Sequence, residues 1–88
     1  MKIYYRKRFL KDLSKIPSKT RMKMEKFVFE EISEANSIGE LRKVEQLKGY
    51  ASYHKIRFGT YRIGLKLENE TVILERALHR KDIYRFFP

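Results

Sequence analysis

Eighty-eight residues suffice for one domain with a modest core. With no cysteine the chain has neither a disulfide nor a thiolate metal site, which fits a reducing cytosol. Lys and Arg number 21 against 11 Asp and Glu, giving +10 at pH 7, so a polyanion, nucleic acid first, is favoured over an acidic protein or an anionic membrane surface. No apolar run approaches membrane-spanning length, and Met1–Tyr5 leads directly into Arg6, Lys7 and Arg8 instead of a signal-peptide core. A soluble, cytoplasmic, single-domain protein spanning 1–88 is expected.

Ile3, Tyr4 and Tyr5 favour extended backbone and predict a short first strand. Phe9, Leu10, Leu13 and Ile16 recur at helical spacing, and Pro17 stops that helix because the residue before a proline avoids helical backbone. Ser18 is the expected N-cap of a second helix, with an apolar stripe of Met24, Phe27, Val28, Ile32 and Ala35. Asn36-Ser37-Ile38-Gly39 closes it, making a helical hairpin. From Val44 the period shortens. Ser52–Phe58 alternates, Gly59-Thr60 turns, Tyr61–Leu67 alternates, Glu68-Asn69-Glu70 turns, and Thr71–Leu78 is a further strand. A short helix or turn covers Arg80–Arg85. The expected fold is α+β, in the order β-α-α-β-β-β, with the helix pair on one face of a small antiparallel sheet.

Strand parity carries the functional information. Ile63, Leu65 and Leu67 must face the helices, so Arg62, Gly64 and Lys66 face away; Ile56 and Phe58 face in, so Tyr53, Lys55 and Arg57 face out. Like charges on adjacent strands repel unless an anion lies between them, which points to a phosphate site. Lys66, with Tyr53 and the strand-opening Tyr61, joins as a candidate substrate-binding residue. In the last strand Val72, Leu74 and Leu78 are expected to face the helices, forcing Arg76 to snorkel or pair with an acid and placing Glu75 and His79 on the basic face.

The chain then supplies His79, Arg80 and Tyr84 within six residues. Histidine moves protons near neutral pH, arginine holds phosphate without surrendering its proton, and tyrosine stacks on bases or shares a proton. Phe86 and Phe87 are expected to anchor the tail. The four glycines are isolated and form no phosphate-binding loop, two histidines with scattered acids make no convincing metal set, and no cofactor is expected. RNA supplies its own 2′-hydroxyl nucleophile. The protein need only take that proton, stabilise charge on phosphorus and assist the leaving oxygen.

Gln46–Tyr50, Tyr53–Gly64 and Val72–Tyr84 together closely resemble the RelE/ParE toxin superfamily, and the opening strand and helix pair match its layout, so the likeness covers almost the whole chain. The resemblance implies a toxin of a type II toxin–antitoxin system. RelE-type members cleave mRNA in the ribosomal A site without a metal and are held inactive by a neighbour-encoded antitoxin. It also implies roles: Lys55 and Arg57 match the paired basic positions, Arg62 a phosphate-contacting arginine, Arg80 the later catalytic arginine, and Tyr84 the tyrosine that stacks on an mRNA base. Arg57 stands where the best-known pattern has a lysine proposed as general base; since arginine keeps its proton, Lys55, His79 or Tyr84 must serve. ParE-type relatives on the same fold inhibit DNA gyrase instead, and a nonenzymatic RNA-binding module is a third reading.

Overall fold

The hydrophobic periodicities translate into a helical hairpin laid on a mixed sheet. A computed structural model describes residues 1–88. Strand β1 (Lys2–Tyr5) leads into α1 (Lys7–Ser14) and α2 (Ser18–Lys26), which continues through a π turn at Phe27–Glu31 and a last turn at Ile32–Glu34. A 3-10 turn at Ile38–Glu40, closed by a Ser37–Glu40 capping box, leads to β2 (Glu45–Leu47), β3 (Tyr50–Phe58), β4 (Tyr61–Glu68) and β5 (Thr71–His79). Helix α3 (Arg80–Phe86) ends the fold. Ser18 is the first residue of α2 and makes no capping bond; Pro17 occupies the cap position instead, where its missing N–H costs nothing.

The sheet order is β1-β5-β4-β3-β2. The α+β architecture is the expected one, with two differences. β2 adds an edge strand too short to show alternation, and β1 pairs parallel to β5, Ile3 opposite Val72. The sheet is therefore mixed. β1 stops at Tyr5 opposite Leu74, the Arg6 N–H still donates to the Leu74 carbonyl at 3.1 Å, and α1 then runs along the edge of β5 that β1 no longer covers. Asn69 and Glu70 both have positive φ, as a two-residue hairpin between right-twisted strands requires.

The core lies between helices and sheet. Phe9, Leu13, Ile16, Met24, Phe27, Val28 and Ile32 pack against Ile56, Phe58, Ile63, Leu65, Val72, Leu74 and Ala77. Phe27 meets Phe58 edge-on at 5.8 Å between ring centres. The Tyr5 hydroxyl donates to the Val28 carbonyl at 2.9 Å, tying β1 to the π turn, and its partial burial pushes the phenol pKa up. No helix is long and apolar enough to cross a membrane.

The parity of β5 changes midway. The register against β4 shifts between Gly64, opposite Arg76, and Leu65, opposite Leu74, so Glu75 is an inserted bulge residue. Val72 and Leu74 face the helices as expected. Beyond the bulge Ala77 faces them too, and the expectation for the strand's second half is corrected: Leu78 pairs with Arg62 and His79 with Tyr61. Arg76 does pair with an acid, Asp12 of α1, whose carboxylate accepts from Nε at 2.8 Å, from Nη2 at 3.2 Å and from the Ala77 N–H at 3.1 Å. Asp12 thus fills an edge position that an adjoining strand would otherwise occupy.

Candidate active site

Outward side chains of β3 and β4 build the floor of the site. Tyr53 is opposite Lys66, Lys55 opposite Gly64, and Arg57 opposite Arg62. Directly opposed cations are unfavourable in a bare sheet. The chain's ion pairs engage Arg6, Lys66 and Arg76, leaving Lys55, Arg57, Arg62 and Arg80 without a carboxylate partner. Arg62 is nonetheless held in place, because Nη1 donates to the carbonyls of Gly59 at 2.7 Å and Tyr61 at 2.9 Å. The turn that supplies the first carbonyl depends on Gly59 at φ +62°.

Helix α3 crosses the same face and forms one wall. The Arg80 N–H donates to the Thr60 carbonyl at 2.8 Å, which fixes the start of α3 beside the β3–β4 turn and leaves the Arg80 side chain exposed. One turn later the Lys55 Nζ donates to the Tyr84 hydroxyl at 2.8 Å and sits 5.3 Å from the ring centre. Tyr84 is 58% exposed, so its ring is open to a stacking base. Ile83 and Phe87 bury the inner side of the tail. The Phe87 ring fills the space over Gly64, where a Cβ would stand 2.6 Å from it, and meets Tyr53 edge-on at 5.5 Å. Phe87 is the tail anchor that the sequence suggested, whereas Phe86 is half exposed.

Tyr53, Lys55, Arg57, Arg62 and Tyr84 thus gather around one basic, aromatic-edged surface, and the backbone of Arg80 is pinned beside it. The others sit differently. Lys66 faces the same way, but its ammonium binds Glu68 at 2.9 Å; that hydrogen bond and the Glu68 charge push its pKa up and hold the Glu68 carboxyl below its usual range. Tyr61 shares the inward parity of Ile63, packs against the core and meets His79 edge-on at 5.4 Å. His79 caps α3: Nδ1 accepts from the Lys81 N–H at 3.1 Å, so in the neutral ring the proton sits on Nε2. In that tautomer Nδ1 is engaged by the cap and Nε2 presents a proton. Asp12 went unnoticed in the sequence, although it is the sole acid among the first 24 residues. No set of three His, Asp or Glu side chains clusters as metal ligands do.

Comparison with known proteins follows the same lines as the geometry. Residues 3–84 match the family described as the ParE toxin of the type II toxin–antitoxin system parDE. The chain is 42% identical to toxin RelE3 of Methanocaldococcus jannaschii over the full length of both. It superposes with TM-score 0.79 on a chain of the RelB–RelE antitoxin–toxin complex from Methanococcus jannaschii, at 40% identity over 97% of this chain and 99% of that one. Against the RelBE2 toxin–antitoxin complex of Mycobacterium tuberculosis the TM-score is 0.68, at 27% identity over 90% of this chain and 96% of that one.

Proposed function

This chain belongs to the RelE/ParE superfamily and is a RelE-like toxin of a type II toxin–antitoxin system, and from that premise we propose that it is a metal-independent endoribonuclease cutting ribosome-bound mRNA in the cytoplasm. The observation that carries this reading is the convergence of unpaired Lys55, Arg57 and Arg62 with Tyr84 of α3. Loss of the 2′-hydroxyl proton lets that oxygen attack the adjacent phosphorus. The 5′-oxygen of the next nucleotide then leaves with a proton, giving a 2′,3′-cyclic phosphate and a 5′-hydroxyl. Arg57, Arg62 and Arg80 meet the growing charge on the phosphoryl oxygens. Lys55 and Tyr84 handle the protons, since the arginines keep theirs and His79 is committed to its cap. Tyr84 also stacks on a base, and the ribosome holds the message in the A site.

Induction of the protein followed by primer extension on cellular mRNA is expected to show codon-phased cuts with 5′-hydroxyl ends, absent for Arg80→Ala. A DNA-damage response without cuts would mark gyrase inhibition and defeat the nuclease reading. Neither effect, in a chain that tolerates Arg80→Ala and Tyr84→Ala, would mark a simple RNA binder.

The proposed protein partner is a cognate acidic antitoxin lying along the helix pair and the sheet. Leu10, Met22 and Phe29 are exposed there among the lysines of α1 and α2, an apolar strip within a positive field. Leu10 and Phe29 also line a shallow groove of about 330 Å³ with Arg21 and Glu25. Phe29→Asp is expected to weaken antitoxin binding at least about tenfold, as loss of a central aromatic anchor does. Unchanged affinity by calorimetry would move the contact off these helices.

A further inference from the structure

We propose that Asp12 is a positioning residue of the active site: acting through Arg76, it holds α3, and with it Tyr84, at working distance from Lys55. The inference rests on the nuclease reading for its kinetic part, but its structural part stands alone.

The links are continuous. Asp12 takes two donors of the Arg76 guanidinium and the Ala77 N–H at once, from a position 64 residues away in sequence. The pair is mostly shielded, with side-chain exposures of 18% for Arg76 and 11% for Asp12. A forked bond fixes the plane of a guanidinium, where a single bond would leave it free to swing. The Arg76 guanidinium carbon lies 5.6 Å from the ring centre of Phe86, on the last turn of α3. The next residue, Phe87, is the ring packed over Gly64. Asp12 therefore fixes the guanidinium that lies against Phe86, a half-exposed ring that Arg85 also approaches at 5.4 Å, at the far end of α3, while Thr60 and the His79 cap secure its start.

The Ala77 bond acts on the same helix from the other direction. Only Leu78 and His79 separate Ala77 from Arg80, and the bulge at Glu75 sets which face each strand residue presents. β1 has ended at Tyr5, opposite Leu74, so no strand is left to accept from the Ala77 N–H. With the Asp12 carboxylate gone, that donor faces an empty edge and the strand beyond the bulge loses a bond on the side away from β4. The start of α3 is then held by the Thr60 bond and the His79 cap alone. Of the substrate cations, Lys55, Arg57 and Arg62 lie on β3 and β4 and keep their places, and only Arg80 rides on α3.

The result is a signature different from general destabilisation. Single-turnover cleavage on mRNA-programmed ribosomes would compare wild type with Asp12→Ala, Arg76→Ala, their double variant and Leu13→Ala, a core truncation on the same helix. Asp12→Ala and Arg76→Ala are expected to lower the maximal rate up to about 100-fold, the cost of a misplaced catalytic group. The ribosome concentration at half-maximal rate should stay within about twofold, because the cationic floor is untouched. The double variant should be no slower than the worse single. Leu13→Ala should lower the melting temperature and leave the rate of the folded protein unchanged.

Amide hydrogen exchange on the free protein gives the second readout. In Asp12→Ala residues 81–87 should lose protection while β3 and β4 keep theirs. Protection of α3 equal to wild type would overturn the proposal, as would a rate loss matched by Leu13→Ala at equal loss of stability. A wild-type protein that cuts no mRNA would overturn the nuclease reading alone, and the exchange result would then decide by itself whether Asp12 holds the helix.

Discussion

Tyr84→Phe is expected to cut ribosome-bound mRNA about 100-fold or more below the wild-type rate, nearly as slowly as Tyr84→Ala, because positioned proton transfer contributes roughly 10²–10⁴-fold. The two substitutions separate the tyrosine's two roles. Phenylalanine keeps the exposed ring for stacking and loses only the hydroxyl that accepts from Lys55 at 2.8 Å. Neither change touches the core, so melting temperatures should stay close to wild type. Lys55→Arg supplies the companion test. It preserves the positive charge and a donor for Tyr84 but cannot give up a proton at physiological pH. If Lys55 takes part in proton transfer, Lys55→Arg falls with Lys55→Ala; if it serves only as a charge, Lys55→Arg stays near wild type. A Tyr84→Phe variant cutting at full rate would remove the hydroxyl from the mechanism and leave stacking as its sole contribution.

Gly64→Ala should have the largest effect on stability of any one-methyl addition to the outer sheet face. The added Cβ would lie 2.6–2.7 Å from three atoms of the Phe87 ring. A ring at that distance must leave, and it is 3% exposed, with Tyr53 edge-on to it at 5.5 Å. Overpacking of this kind costs about 1–3 kcal/mol. Phe87→Ala alone should cost up to about 3–5 kcal/mol, as buried phenylalanine truncations do. Combining the two should cost clearly less than their sum, because the methyl group enters space the ring has vacated. Urea unfolding midpoints at constant slope read all three values. Additive losses, or a Gly64→Ala protein as stable as wild type, would show that the ring does not rest on Gly64 in solution. The same substitution is expected to slow cleavage, since Phe87 ends the helix that carries Tyr84.

Both predictions turn on a face of the sheet whose character was only half visible in the sequence. Alternation in Ser52–Phe58 and Tyr61–Leu67 assigned Lys55, Arg57 and Arg62 to the side away from the helices, and the structure places them there. Alternation is a local property: each peptide unit turns the next side chain over, so a strand of eight or nine residues reveals its faces unaided. The stripe of the second helix was legible for the same reason, and Met24, Phe27, Val28, Ile32 and, just past the last turn, Ala35 are all buried. The β5 assignment failed past Glu75 because a bulge inserts a residue without any mark in the periodicity.

The sequence by itself determined the α+β class, the helix pair, the three long strands and the outward cations, since these follow from backbone periodicity, turn residues and charge within a few positions of each residue. Only the tertiary structure decided that β1 joins β5 in parallel, that Asp12 replaces a strand partner along the β5 edge, and that α3 folds back over Gly64 to bring Tyr84 to Lys55. Each of these is a contact between residues more than 20 positions apart. Its energy depends on which edge is left unpaired and which surface is left uncovered once the rest of the chain has packed, and no periodicity in the sequence encodes that.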